Sequence, residues 1–116
     1  MLQAQLLAAK GDRVGAVRAL DDAALPLAEA PEVHALAAAY AQQEGKHADA
    51  ITRYERIVRR FPEEARGWTG LGISLEAEGR PREALDVYRI AMQVGELPDP
   101  TRRWVSERVE SLAEEG

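Results

Sequence analysis

His34 and His47 are the only histidines of the chain, thirteen positions apart, and no cysteine accompanies them. A metal site needs three or four ligands at close, recognisable spacing. These two fall on different elements, so they read as a packing imidazole and a solvated turn residue. The run Gly67-Trp68-Thr69-Gly70-Leu71-Gly72 is rich enough in glycine to suggest a phosphate loop. It follows no strand pattern and lacks the Gly-Lys-Ser/Thr ending that brings a lysine to phosphate. Its small residues read instead as places where helices approach closely. Asp21-Asp22 and Glu63-Glu64 are adjacent carboxylates. An acid–base pair needs convergent side chains in unlike environments, whereas neighbours on a helix point apart. They read as solvated surface. Arg53, Arg56, Arg59 and Arg60 line one segment, but no exposed aromatics interleave them as stacking on bases would need. No nucleophile–base pair, metal set or cofactor loop emerges, so the expectation is a non-enzyme with no cofactor.

Composition narrows the class further. The chain has 116 residues, which suits one domain, and a net charge of −5 gives no basic footprint for nucleic acid. Without cysteine there are no disulfides and no thiolate chemistry. Alanine is abundant and aromatics are few, a mixture that fits closely packed helices. No apolar run approaches the roughly 18 residues of a membrane-spanning helix. The opening residues also lack the basic and long apolar regions of a signal peptide.

The elements that would position any site are set by a repeat. Gly11, Gly45 and Gly79 stand 34 residues apart, each followed five positions later by an alanine: Ala16, Ala50 and Ala84. Leu20, Tyr54 and Tyr88 continue the register. A period of 34 belongs to a two-helix solenoid unit, which buries its apolar face only by stacking on its neighbours. Helical periodicity predicts helices to Lys10 and over residues 13 to 25, 31 to 44, 48 to 60, 65 to 78 and 82 to 94. A last helix is expected from Thr101 to about Ala113, with Val105, Val109 and Leu112 on one face. Each repeated glycine should occupy the left-handed position that closes a helix. On this register Met1 falls at the fifth position of its unit. The opening helix is therefore expected to lack about a turn, and the chain to be a piece of a longer protein with any anchor upstream.

The third unit carries Trp68, Leu71, Gly72, Leu75, Gly79, Ala84, Tyr88 and Ala91 at fixed offsets. This pattern resembles a tetratricopeptide repeat nearly position for position. It departs at Leu75, where tyrosine is usual, at Tyr88, where phenylalanine is usual, and at Glu96, where proline is usual. The second unit keeps Gly45, Ala50, Tyr54 and Pro62, but has His34 for the tryptophan and Ala37-Ala38 for Leu-Gly. The first keeps Gly11, Ala16 and Leu20. The resemblance implies an all-α fold, a right-handed superhelix of about three helical hairpins with a C-terminal capping helix. As one domain over residues 1–116 it divides into a shortened first repeat (1–30), a second (31–64), a third (65–98) and a cap (99–116). A narrower resemblance joins the run Pro31 to Tyr40, the stretch Trp68 to Glu76 and Trp104-Val105. These look like the C-terminal repeats of bacterial pilus-biogenesis proteins of the MSHA type. Those have an inner-membrane anchor and a periplasmic repeat domain. The resemblance would place this chain on the periplasmic face, with membrane contact only through a segment outside it; otherwise a cytoplasmic location is expected.

Family members bind partners on a concave side lined by the first helix of each unit, chiefly at its second, fifth, ninth and twelfth positions. The resemblance places Glu32, Ala35, Ala39 and Gln42 there from one unit, and Arg66, Thr69, Ile73 and Glu76 from the next. Gln5 precedes them and Arg103 follows. Small side chains leave room for a guest chain, and the mixed charge specifies neither a purely acidic nor a purely basic peptide. The carboxylate clamp of chaperone-binding members has no counterpart at Gln5, Leu36, Thr69 and Ile73, so no binding of chaperone C-terminal peptides is expected. The implied function is a protein-interaction scaffold or assembly factor holding a protein or peptide, without nucleic-acid or small-molecule substrates. The alternative is self-assembly through the first helix, where Leu2, Leu6 and Leu7 would form an exposed apolar stripe.

The repeated alanine supplies the first test. If it lies where the two helices of a unit cross, Ala84→Leu overpacks that crossing and costs about 1–3 kcal/mol. Thermal unfolding should show a lowered Tm, and an unchanged one would place Ala84 elsewhere.

Overall fold

The computed structural model describes residues 2–115. They contain seven helices and no strand: α1 (Leu2–Ala9), α2 (Arg13–Asp22), α3 (Pro31–Gln43), α4 (His47–Arg60), α5 (Ala65–Ala77), α6 (Pro81–Val94) and α7 (Asp99–Glu115). α1–α2, α3–α4 and α5–α6 form hairpins, and each hairpin packs on the next through α2 on α3, α4 on α5 and α6 on α7. α3 also touches α5 directly, so first helices are neighbours along one side. Stacking in one direction gives an elongated body of 42 × 26 × 24 Å.

The three spaced glycines end α1, α3 and α5 in the same way. Gly11, Gly45 and Gly79 have φ of +89°, +79° and +75°. In each case the glycine N–H reaches back three residues, to Ala8, Gln42 or Glu76. The following N–H reaches back five, to Leu7, Ala41 or Leu75. This paired pattern satisfies two orphan carbonyls at each helix end. A Cβ at any of the three would meet nothing within 4 Å. The backbone angle, rather than space, requires glycine there.

Ala16, Ala50 and Ala84 are fully buried, as their place in the helix hairpins predicts. Four residues later Leu20, Tyr54 and Tyr88 are buried too. The two tyrosines lie on opposite sides of α5. A Cβ on Gly70 would collide with the Tyr54 ring, and one on Gly72 with the Tyr88 ring. Gly67 completes the approach, with a position for Cβ 3.0 Å from a Val58 methyl. The glycine-rich run is thus a bare stretch of helix onto which an aromatic ring is pressed from either side.

The core divides at α3. Val33 and Ala37 pack with Ala4, Ala16 and Leu20 of the first hairpin. Ala38 and Ala41 join the larger cluster that runs through Tyr54, Leu71 and Tyr88 to Val105 and Leu112 of α7. Adjoining strips of one helix therefore serve two cores.

Most boundaries fall within one residue of expectation, but the end of α2 and both ends of α7 differ by two or more. α2 ends at Asp22 rather than residue 25, because Ala24 turns left-handed at φ +51° ahead of Pro26. A non-glycine residue in that region costs roughly 1–2 kcal/mol, so the turn is held against a local preference. α7 starts at Asp99, two residues early, with Pro100 in its first turn and the Arg102 N–H donating to the Pro98 carbonyl at 2.8 Å. Asp99 places a carboxylate at the positive helix end.

Candidate functional site

The side formed by α3, α5 and α7 carries two recesses, one between each successive pair of these helices. The first has a volume of about 230 Å³ and lies between Pro31, Glu32 and Ala35 of α3 and Gly67 of α5, floored by Ile57 and Phe61. The second has a volume of about 340 Å³ and lies between Thr69 and Ile73 of α5 and Pro100, Thr101 and Trp104 of α7. Both exist because glycine, alanine and threonine keep the facing helices bare at these levels. Trp104, 40% exposed, is held edge-on to the buried Tyr88 ring, with centroids 5.8 Å apart at 87°.

The ten residues expected to line a groove occupy three different settings. Glu32 and Ala35 are exposed and share the first recess, while Thr69 and Ile73 share the second. The Thr69 hydroxyl donates to the Ala65 carbonyl at 2.9 Å. Gln5, Arg66 and Arg103 are exposed, and Ala39 is half-buried. Gln42 and Glu76, near the C-terminal ends of α3 and α5, are tied inside the protein. The Gln42 amide donates to the Gly70 carbonyl at 2.8 Å and to the Ser74 hydroxyl at 2.9 Å. The Glu76 carboxylate accepts from the Tyr88 hydroxyl at 2.8 Å and from Arg108 Nε at 3.0 Å. One end of this side is therefore cross-linked by polar bonds while the other stays open.

Sequence reasoning assigned no such role to Trp104, Pro100 or Thr101. The available signal was a lone indole on a helix otherwise rich in charge. It also placed His47 in a solvated turn. His47 instead opens α4 half-buried, its Nδ1 3.1 Å from Ser74 Oγ. This is a serine–histidine contact, but Ser74 is fully buried, so its hydroxyl meets no solvent-borne substrate. It serves packing. His34 does pack as expected, its Nε2 donating to the Leu25 carbonyl at 2.6 Å.

On the opposite side, α2 and α4 are joined by charge. Arg53 donates to both Asp21 oxygens, at 2.9 and 2.8 Å, and to Asp49 at 3.1 Å. Hydrogen bonding from Arg53 holds the Asp21 carboxyl below its ordinary range against a smaller opposing effect of burial. Asp21, though exposed, makes with Arg53 one inter-repeat contact, whereas Asp22, Arg56, Arg59 and Arg60 take part in no ion pair among the described residues. Burial pushes the Tyr54 phenol up to about 12, so it stays neutral. Among the described residues no group of three or more side chains suits a metal ion. No helix among them is long and apolar enough to cross a membrane.

The tetratricopeptide-repeat family model matches residues 35–93, from within α3 almost to the end of α6. The chain belongs to the tetratricopeptide-repeat family. Repeats of this family generally mediate protein–protein interaction. No curated protein sequence matches the chain significantly.

Glu76 yields a pH test of the tie between the third repeat and α7. Burial opposes its ionisation most, but hydrogen bonds from Arg108 and Tyr88 together with the Arg108 charge outweigh it. Its pKa therefore lies below the ordinary 4.5. A depressed carboxyl stabilises the fold above its unfolded pKa and loses that contribution as pH falls through the folded one. Glu76→Gln should lower stability at pH 7 by about 1–2 kcal/mol. The gap to wild type should close below about pH 4, and urea unfolding across pH 3–7 checks both.

Proposed function

We propose that this chain holds a segment of a partner protein along the side formed by α3, α5 and α7. The observation that carries the reading is the pair of recesses on that one side, one between each successive pair of first helices. Membership of a family whose repeats mediate protein–protein interaction supports it. A chain laid across such recesses gains affinity from a few buried anchors rather than from total area. Glu32, Ala35, Ala39, Arg66, Thr69, Ile73 and Arg103 are the residues proposed to meet it, with Gln5 at the α1 end. Gln42 and Glu76 act in this reading through the bonds that keep α3, α5 and α7 in place. The narrower role in bacterial pilus biogenesis rests on the sequence resemblance to MSHA-type proteins alone.

A second reading, self-assembly through α1, draws on a separate observation. Leu2 and Leu6 are 70% and 53% exposed on one face of that helix. Leu7, expected beside them, packs partly into the first core cluster and shortens the stripe.

Two experiments separate the readings. Ala35→Arg with Ala39→Gln fills the α3 side of the face with good helix formers. This should weaken capture of the native partner about tenfold or more in a pull-down titration from the source cell; undiminished capture would move the site elsewhere. Sedimentation velocity over a wide concentration range addresses α1. Self-association abolished by Leu6→Gln would support the second reading, and a monomer throughout would remove it.

A further inference from the structure

We propose that copies of this chain associate head to tail, the exposed leucines of α1 seating in a notch between the start of α6 and the end of α7 of a second copy. This rests on the reading of α1 as a self-assembly surface and names the surface that it meets.

The knobs stand on α1. Leu2 and Leu6, 70% and 53% exposed, are the most exposed large apolar side chains among the described residues. They lie one turn apart on one face of the helix. The repeat shows which contact that face belongs to. One period of 34 residues further on, Leu36 and Tyr40 of α3 pack against the cluster of the first hairpin. Two periods on, the same positions of α5 are Gly70 and Ser74. Gly70 lies under the Tyr54 ring, and Ser74 Oγ meets Gln42 and His47, so both face the preceding hairpin. The leucine face of α1 is therefore the one on which a second helix of another unit rests, and here it stays open to solvent.

The notch lies at the far end of the stack, on a second helix. Pro81, Arg82 and Leu85 of α6, with Leu112 and Glu115 of α7, enclose about 130 Å³. An apolar cavity of about 150 Å³ holds a benzene molecule, so the notch has room for one leucine side chain between Pro81, Leu85 and Leu112. Because the hairpins stack in one direction over a body 42 Å long, α1 cannot reach the notch of its own copy. Two α1 faces set together would offer leucine knobs but no recess.

Charge permits this pairing and opposes the pairing of like ends. The first hairpin balances three cations with three anions over residues 2–22, and Lys10 is the only charge on residues 2–11. At the notch, residues 80–86 hold two cations and two anions, and residues 108–115 hold one cation and three anions. A balanced hairpin approaches that negative end without repulsion, whereas two notches would set surplus against surplus. Unlike ends do not close on themselves at two copies, so the product is a growing row or a ring. Each added copy brings its own α3–α5–α7 side.

The chain has no cysteine, so one introduced cysteine is the sole cross-linking point. Gln3→Cys on α1 and Glu115→Cys at the notch, both at exposed positions, are mixed in equal amounts and treated with a short bismaleimide. The contact is smaller than a standard interface, so a Kd on the order of 0.1–1 mM is expected and the mixture is taken into that range. Cross-linked dimer in the mixture should exceed that of either variant alone by about fivefold or more. Adding Leu6→Gln, at an exposed site, to the Gln3→Cys chain should remove the excess. Cross-linking concentrated in Gln3→Cys alone would sink the head-to-tail contact and leave self-assembly through α1 standing. Equal product in all three samples would overturn the contact as well. A monomer throughout by sedimentation velocity at the same concentrations would sink both the contact and the reading beneath it.

Discussion

Two tyrosine rings resting on bare glycine backbone hold this stack together. Tyr54 of one hairpin presses on Gly70, and Tyr88 of the next presses on Gly72, so α5 is gripped from both sides. A side chain on Gly70 would unseat the Tyr54 ring and one on Gly72 the Tyr88 ring, and the helices at that contact would have to separate. Everything on the open side follows from that spacing. Thr69 and Ile73 face Trp104 across a recess because α5 is held at a fixed distance from its neighbours, and Trp104 is oriented by the same Tyr88 that grips Gly72. Packing and the candidate site are one arrangement seen from two sides.

Polar bonds finish what the rings begin, and they act at one end only. Gln42 ties α3 to α5, and Glu76 ties α5 to Arg108 of α7. Both are partly buried, and the Glu76 bonds, being to a charged group, contribute more than a surface ion pair would. The C-terminal ends of α3 and α5 are thereby each tied to the next helix on this side. Their N-terminal halves, where Glu32, Ala35 and Arg66 lie, keep their side chains exposed. A guest chain meets a face already organised, so little of its binding free energy is lost to ordering the host.

The backbone plan was legible in the residues because it depends on local, repeated requirements. A left-handed turn after a helix demands glycine, and Gly11, Gly45 and Gly79 declare it at equal spacing. A helix crossing demands a small side chain, and Ala16, Ala50 and Ala84 are buried there. Side-chain partnerships were not legible in the same way. Whether Glu76 faces a ligand or the protein depends on Arg108, which stands 32 residues away on α7. His47 looked like a turn residue because nothing near it in sequence reveals Ser74. The end of α2 was hidden too: Ala24, an exposed non-glycine residue, adopts a left-handed angle that its residue type does not announce. Trp104 was overlooked as a site residue because the groove positions carried over from the family omit the helix position that it fills.

Native-state hydrogen exchange tests the grip on α5 most directly. If the two rings anchor the stack, the amides of α5 and of the facing turns of α4 and α6 should exchange slowest, opening only with global unfolding. Those of α1, which contributes to the smaller core cluster alone, should exchange much faster. Protection in α1 and α2 equal to or greater than that in α5 would contradict the account.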